Sequence, residues 1–391
     1  MEREYRYLIT LCRSFLEGKT ETLETDIDYQ KLYSVANSHN LSAILFCVMN
    51  TSANKETVPE AALRRFEDDF YEAIVRYDMQ QVQIERLDAL LSENHLRHVF
   101  FKGAEIKELF PVPQARVMGD IDLLIAQEDR DRVKAVLVHN GIQNINANGP
   151  VYDYSADGVK IEMHTKIISG KVGNSDAEQC FADAIDHAAF DGCRGKLDLN
   201  YHFAYLITHL AHHFWFYGAG VKLILDLAVM LKASAIDLDA VMDKLREVGL
   251  DRFAEVILTV CYRWFGYGTD YGYDTADTET FLLSFGAFGN VNRNHAAVIE
   301  RKELEEGKRT SPLLTKLRLL FPTYHQLKNI PYIRFIEGRP YLVPYAWLYR
   351  IVYNFRHRKQ YVRRTTQKIG SDETNSSAQS ELAYFKEIGL L

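Results

Sequence analysis

The stretch RVMGDIDLLI, residues 116–125, decides how the middle of the chain is read. DIDLLI is a short apolar run begun by glycine, and it carries two aspartates. If it is a strand, successive side chains alternate faces. Asp120, Asp122 and Leu124 then share one face, and Ile121, Leu123 and Ile125 take the other. Two carboxylates ~6–7 Å apart on one face repel each other, and burying them unpaired is unfavourable. Either that face is wet, or a cation neutralises it. A hard divalent ion with oxygen ligands, Mg²⁺ first and Mn²⁺ as the alternative, answers the second case.

Two neighbouring segments bear on the choice. In VKIEMHT, residues 159–165, alternation sets Val159, Ile161 and Met163 on one face and Lys160, Glu162 and His164 on the other. A third carboxylate is therefore offered from a second strand, although a strand with one wet face has the same pattern. In FFKG, residues 100–103, a strand ends in Lys102-Gly103 ahead of a helix. Glycine lets a backbone approach a phosphate, the helix start supplies N–H donors, and Lys102 adds positive charge. Together the three segments describe a metal–phosphate site.

Outward from this centre the pattern is helical. Residues 1–78 space their apolar side chains three and four apart and form an N-terminal helical region. That helical pattern continues to about residue 96. Residues 79–200 hold the core, which from 98 to 167 runs strand, helix, strand, helix, strand, strand, a compact α/β unit. Its last two strands meet at a turn over Ala156, Asp157 and Gly158. Residues 201–265 give strong amphipathic helices, with Asp237 or Asp239 as a cap. Residues 266–391 form a mostly helical extension broken by five prolines, with a mobile polar segment near 365–380.

The 391 residues, 47% apolar and 25% charged, provide ample core for two or three domains. A net charge of −7 argues against non-specific nucleic-acid binding by the whole chain. Five scattered cysteines without a CxxC pair, and no signal-like start, point to a reduced cytoplasmic setting. No window has ~18 uninterrupted apolar residues, so no transmembrane segment is expected.

The order of elements resembles the polymerase-beta-like nucleotidyltransferase superfamily. Lys102-Gly103, Arg116-x-x-Gly119-Asp120-Ile121-Asp122-Leu123-Leu124 and Glu162-Met163-His164 look closest to an uncharacterised bacterial nucleotidyltransferase family with those motifs. The resemblance implies an α+β fold: a small mixed-sheet nucleotidyltransferase core flanked by N-terminal and C-terminal helical regions. It also implies Mg²⁺-dependent transfer of a nucleoside monophosphate from an NTP such as ATP to a hydroxyl acceptor, with release of pyrophosphate. Asp120, Asp122 and Glu162 would be catalytic and hold the metal. Lys102, Gly103, Arg116, Gly119 and His164 would contact nucleotide and phosphates. The acceptor is a small molecule, a protein or RNA. A non-catalytic nucleotide-binding or interaction module of a bacterial biosynthetic or toxin–antitoxin system is the alternative. The sequence departs from the superfamily where Ala104 follows Gly103 in place of serine or glycine.

Three further features stand apart. His209, His212 and His213 share one helix at zinc-compatible spacing, but HExxH is absent, and histidines packed beside the core are the plainer reading. Lys222 and Asp226 form an i, i+4 pair or reach the ligand, as His209 also could. The basic segment 350–364 suits an anionic partner or membrane surface, or is the solvated end of a packed helix.

Overall fold

The computed structural model describes residues 3–147, 149–233, 235–287, 320–327, 330–336, 338–357 and 372–391. The chain divides into two units, Met1–Asn290 with Gly389–Leu391, and Val291–Ile388.

The first unit begins with helices α1 (Arg3–Glu17), α2 (Tyr29–Ser38), α3 (Ser42–Thr51) and α4 (Glu60–Glu93). Asp28 starts α2 by accepting hydrogen bonds from the amides of Gln30 and Lys31. With no glycine or proline inside it, α4 runs unbroken for 34 residues, through the expected 78/79 boundary. There follow β1 (His98–Phe101), α5 (Gly103–Ile106), β2 (Asp120–Ile125), α6 (Arg130–His139), β3 (Gln143–Asn146), β4 (Val151–Ala156) and β5 (Val159–His164). Then come α7 (Ala177–Cys180), β6 (Ala188–Asp191), β7 (Arg194–Leu197), α8 (Leu199–Phe216), α9 (Val221–Ala233), α10 (Leu238–Val248), α11 (Asp251–Phe265) and α12 (Ala276–Ser284). Asp237 caps α10, and Gly249 closes it in the left-handed region at φ 75°.

The seven strands form one mixed sheet in the order β3-β4-β5-β2-β1-β7-β6. At its centre β2 runs antiparallel to β1 and parallel to β5. Alternation sorts the side chains as the sequence implies. Ile121, Leu123, Ile125, Ile161 and Met163 pack with Ile84, Leu87 and Leu91 of α4 and Val133 and Leu137 of α6. The opposite face carries Asp122, Leu124 and His164, all buried. Helices α8 and α9 approach that face: the Phe101 and Tyr205 rings lie 5.7 Å apart, and Arg116 pairs with Asp226. This is the expected α+β arrangement of a mixed sheet with flanking helices.

Strands β3, β6 and β7 were not expected. QNIN, AAFD and RGKL are four residues each, too short to register a period, and β3 and β6 are the sheet's half-exposed edges.

In the second unit, Leu327, Ile333, Ile336 and Ala346 form a small core beside the helix Val343–His357. Of the basic segment, 350–357 belongs to that helix and 358–364 lies outside the described residues. Of the polar segment, 365–371 lies outside them as well, while the remainder is part of the helix Asp372–Glu387. Among the described residues no helix is long and apolar enough to cross a membrane.

Candidate active site

Parallel pairing of β2 with β5 aligns Asp120 with Lys160, Asp122 with Glu162 and Leu124 with His164. The three carboxylates thus meet on one face through strand register alone. Asp122 is the centre. Its Oδ1 accepts from Lys102 Nζ at 2.7 Å and from His164 Nε2 at 2.9 Å. His164 Nε2 also lies 3.5 Å from Glu162 Oε2. Lys160 bonds to Glu162 and reaches Asp120 Oδ2 at 3.4 Å.

The electrostatics follow from this crowding. Burial pushes the Asp120 carboxyl up, with Asp122 and Glu162 adding repulsion, to about 6. Burial acts on Asp122 in the same sense, yet Lys102 and the His164 hydrogen bond overcome it and its pKa is lowered. The bond from His164, against burial and with help from Lys160, holds Glu162 well below the usual carboxylate range. Burial opposes the charge on Lys102, but Asp122, Tyr205 and Glu162 more than offset it, so its pKa is raised. In His164, too, the carboxylates outweigh burial and raise the pKa.

Among the described residues Asp122, Glu162 and His164 can each turn one ligand atom to a common point, those atoms lying within 4.8 Å of one another. Two hard oxygens and one imidazole nitrogen suit a divalent cation. The sequence expected Asp120 as the third ligand. Asp120 lies on the same face, with its Oδ2 3.4 Å from Lys160 Nζ, and His164 stands with Asp122 and Glu162.

The phosphate candidates are distributed differently from the expectation. Arg116 lies outside the strand as expected, but two of its nitrogens are held by Asp226 of α9, Nε to Oδ1 at 3.0 Å and Nη2 to Oδ2 at 2.7 Å. Both side chains are buried. The remaining nitrogen, Nη1, lies against Gly103: a Cβ at that position would be 2.6 Å from it. An added Cβ would therefore force Arg116 and Met118 to shift. Lys222 donates to the Val117 carbonyl at 2.6 Å, and burial, with repulsion from Arg116, lowers its pKa to about 7. Together α9's Lys222 and Asp226 anchor the loop that leads into β2. Gly119, at the end of that loop, is exposed.

Lys102 has φ 51°, in the left-handed region that a lysine rarely adopts. Its backbone N–H donates to His202 Nε2 at 3.2 Å. Burial lowers the His202 pKa to about 4, so the ring is neutral and Nε2 is free to accept. Strain at one residue held by neighbouring groups is a common mark of functional sites. His202 and Tyr205, one turn apart on α8, were not singled out from the sequence. Nor was Lys160, though its alternation with Glu162 carried the signal. His209, His212 and His213 pack on α8 with His213 Nε2 3.1 Å from His209 Nε2. Burial lowers the pKa of each. They lie outside the Asp122–Glu162–His164 group, as histidines lining a packed helix.

No curated protein and no solved structure matches the chain. A family model described as uncharacterised nucleotidyltransferase matches residues 25–266, from α2 through the sheet to the end of α11. That span covers the three motifs, the carboxylate face and the two helices that close over it. The chain belongs to this family of nucleotidyltransferases.

Proposed function

We propose that the chain transfers a nucleoside monophosphate from a Mg²⁺-bound NTP to a hydroxyl, releasing pyrophosphate. The observation that carries this reading is the alignment of Asp122 with Glu162 across β2 and β5, with Asp120 on the same face. Asp122, Glu162 and either Asp120 or His164 would hold the cation. Bound there, Mg²⁺ would neutralise phosphate charge and polarise the phosphorus.

The chain's own residues do the rest. Lys102, and Arg116 through the Nη1 that lies against Gly103, meet the phosphates. Asp226 fixes the plane of the Arg116 guanidinium, as a forked pair does. The acceptor oxygen bonds to the α-phosphorus as the bond to pyrophosphate breaks. Where His164 serves as the third ligand, Asp120 on the same face is left to take the hydroxyl proton. Buried on the sheet face, the site holds the reactants in line and supplies preorganised charge.

Calorimetric titration with each Mg²⁺·NTP, beside an Asp120→Asn/Asp122→Asn control, tests the reading. Cation-dependent binding in the micromolar range, lost in the control, is the expected result. Binding that is equal in the control, or absent for every NTP, would remove the donor site.

A further inference from the structure

A cleft of about 160 Å³ opens beside the site, at the exposed Gly119 that immediately precedes Asp120. Its polar lining comes from α2, α3, α4 and the turn between α2 and α3: Asn37, Asn40, Ser42, Asp69, Glu72 and Arg76. A second cleft of about 320 Å³ shares Glu72, Arg76 and Gly119 with it and extends to Lys160, which bonds to Glu162 and Asp120. The two form one continuous groove along the entrance to β2 and β5. We propose that this groove is the acceptor site, and that it takes a small, neutral, polyhydroxylated molecule of the sugar type. The proposal rests on the nucleotidyl-transfer reading. The attacking oxygen is then a hydroxyl of that molecule, its proton ending on water as pyrophosphate leaves.

Size, charge and chemistry support the assignment. At about 320 Å³ the second cleft reaches the lower end of the ~300–1,000 Å³ range of small-molecule sites. Asn40 offers an amide that can donate and accept as a hydroxyl pair requires, while Asn37, whose amide nitrogen donates to Tyr33 Oη and Asp69 Oδ2, offers its carbonyl. Ser42 lines the groove at 4% exposure, and its hydroxyl, buried beneath that wall, has no hydrogen-bond partner among the described residues. A buried hydroxyl of this kind is ordinarily satisfied.

Charge excludes the alternatives. Asp69 and Glu72 oppose a single guanidinium, Arg76, which already bonds Glu72 at 2.8 Å. Lys160, at the far end, is directed to Glu162 and Asp120. Two acids and two bases line the groove, so an anionic sugar or a nucleic-acid backbone would find no net positive charge here, whereas a nucleic-acid track is lined by lysine and arginine. Val75 and Met79, 59% and 42% exposed, form an apolar shelf in the second cleft, suited to the C–H face of a sugar ring.

Saturation-transfer NMR on the full chain tests this, with methyl α-glucoside and glucose 6-phosphate as separate probes. Mg²⁺·ATP affinity is measured by calorimetry in the same preparations. Methyl α-glucoside should receive saturation, glucose 6-phosphate should receive at least tenfold less, and Asn40→Trp and Glu72→Trp should each abolish the glucoside signal. No signal from the glucoside, equal signals from both probes, or a signal that persists in both variants would overturn the proposal. If the glucoside binds in the groove while no NTP binds the wild type, the nucleotidyl-transfer reading fails separately, and with it the groove's role as an acceptor site.

Discussion

At the scale of single residues, the site depends on close approach as much as on charge. Gly103 shows why. Its missing side chain leaves room for Arg116 Nη1 and for Met118, whose Sδ would be 2.7 Å from an added Cβ. Because Asp226 clamps Arg116, the guanidinium cannot move aside freely. Gly103→Ala is therefore expected to destabilise the protein by about 1–3 kcal/mol, the range for an overpacked interior. It should also weaken Mg²⁺·ATP binding by displacing Nη1. Thermal melts and calorimetry check both effects, and a variant with wild-type melting and wild-type affinity would show that the space is not needed. The Lys102-Gly103 motif was legible because glycine beside a lysine at a strand end is a local signal. The reason for the glycine was not, because Met118 and Arg116 come back to it through tertiary folding. Likewise, alternation alone assigned Asp120, Asp122, Glu162 and His164 to one surface. Which three of them converge depends on the β2–β5 register, which no local pattern records.

At the scale of elements, the entrance to β2 is tied to α9. Arg116 and Asp226 are 110 positions apart and buried at 6% and 5% side-chain exposure. Removing one partner of a buried ion pair leaves an uncompensated charge and typically costs about 3–5 kcal/mol, whereas replacing both with apolar groups is often neutral. Asp226→Leu and Arg116→Met should each lower the unfolding free energy by roughly that amount, and the double variant should recover most of it while losing nucleotide affinity. A double-mutant cycle by chemical denaturation measures the coupling. If the single losses simply add, the pair does not act as a unit. The i, i+4 spacing of Lys222 and Asp226 suggested a pair within α9. Instead the tertiary fold turns Asp226 to Arg116 and Lys222 to the Val117 carbonyl, a competition invisible to helix periodicity. The strands divide in the same way. β1, β2, β4 and β5 are apolar or alternating and were read correctly. β3, β6 and β7 are short, polar and completed by pairing with neighbours, so their sequences contain little evidence of them.

At the scale of the whole molecule, buried histidines set the response to acid. Burial lowers His39, His202, His212 and His213 to about 4 and His209 well below its ordinary 6.5. These span α8 and the end of α2, so they report on packing across the first unit. In the unfolded chain each binds a proton near pH 6.5, while in the folded chain each remains neutral until far lower pH. Between those values the unfolded state holds more protons, and stability must fall as pH falls. Their contribution is complete above about 6.5 and is lost progressively toward about 4. Each proton of difference is worth about 1.4 kcal/mol per pH unit. Asp120, Glu105 and His164 have raised pKa values and act in the opposite sense, three groups against five. The midpoint of thermal unfolding should therefore drop steeply from pH 7 to pH 5, and His212→Phe, which removes one half-buried base, should make the drop shallower. A midpoint that is flat or rising over that window would mean that the α8 histidines are charged in the folded protein. In that case the face opposite Asp122 would be cationic, and the neutral, packed role assigned to these histidines would have to be replaced by direct contact with an anion.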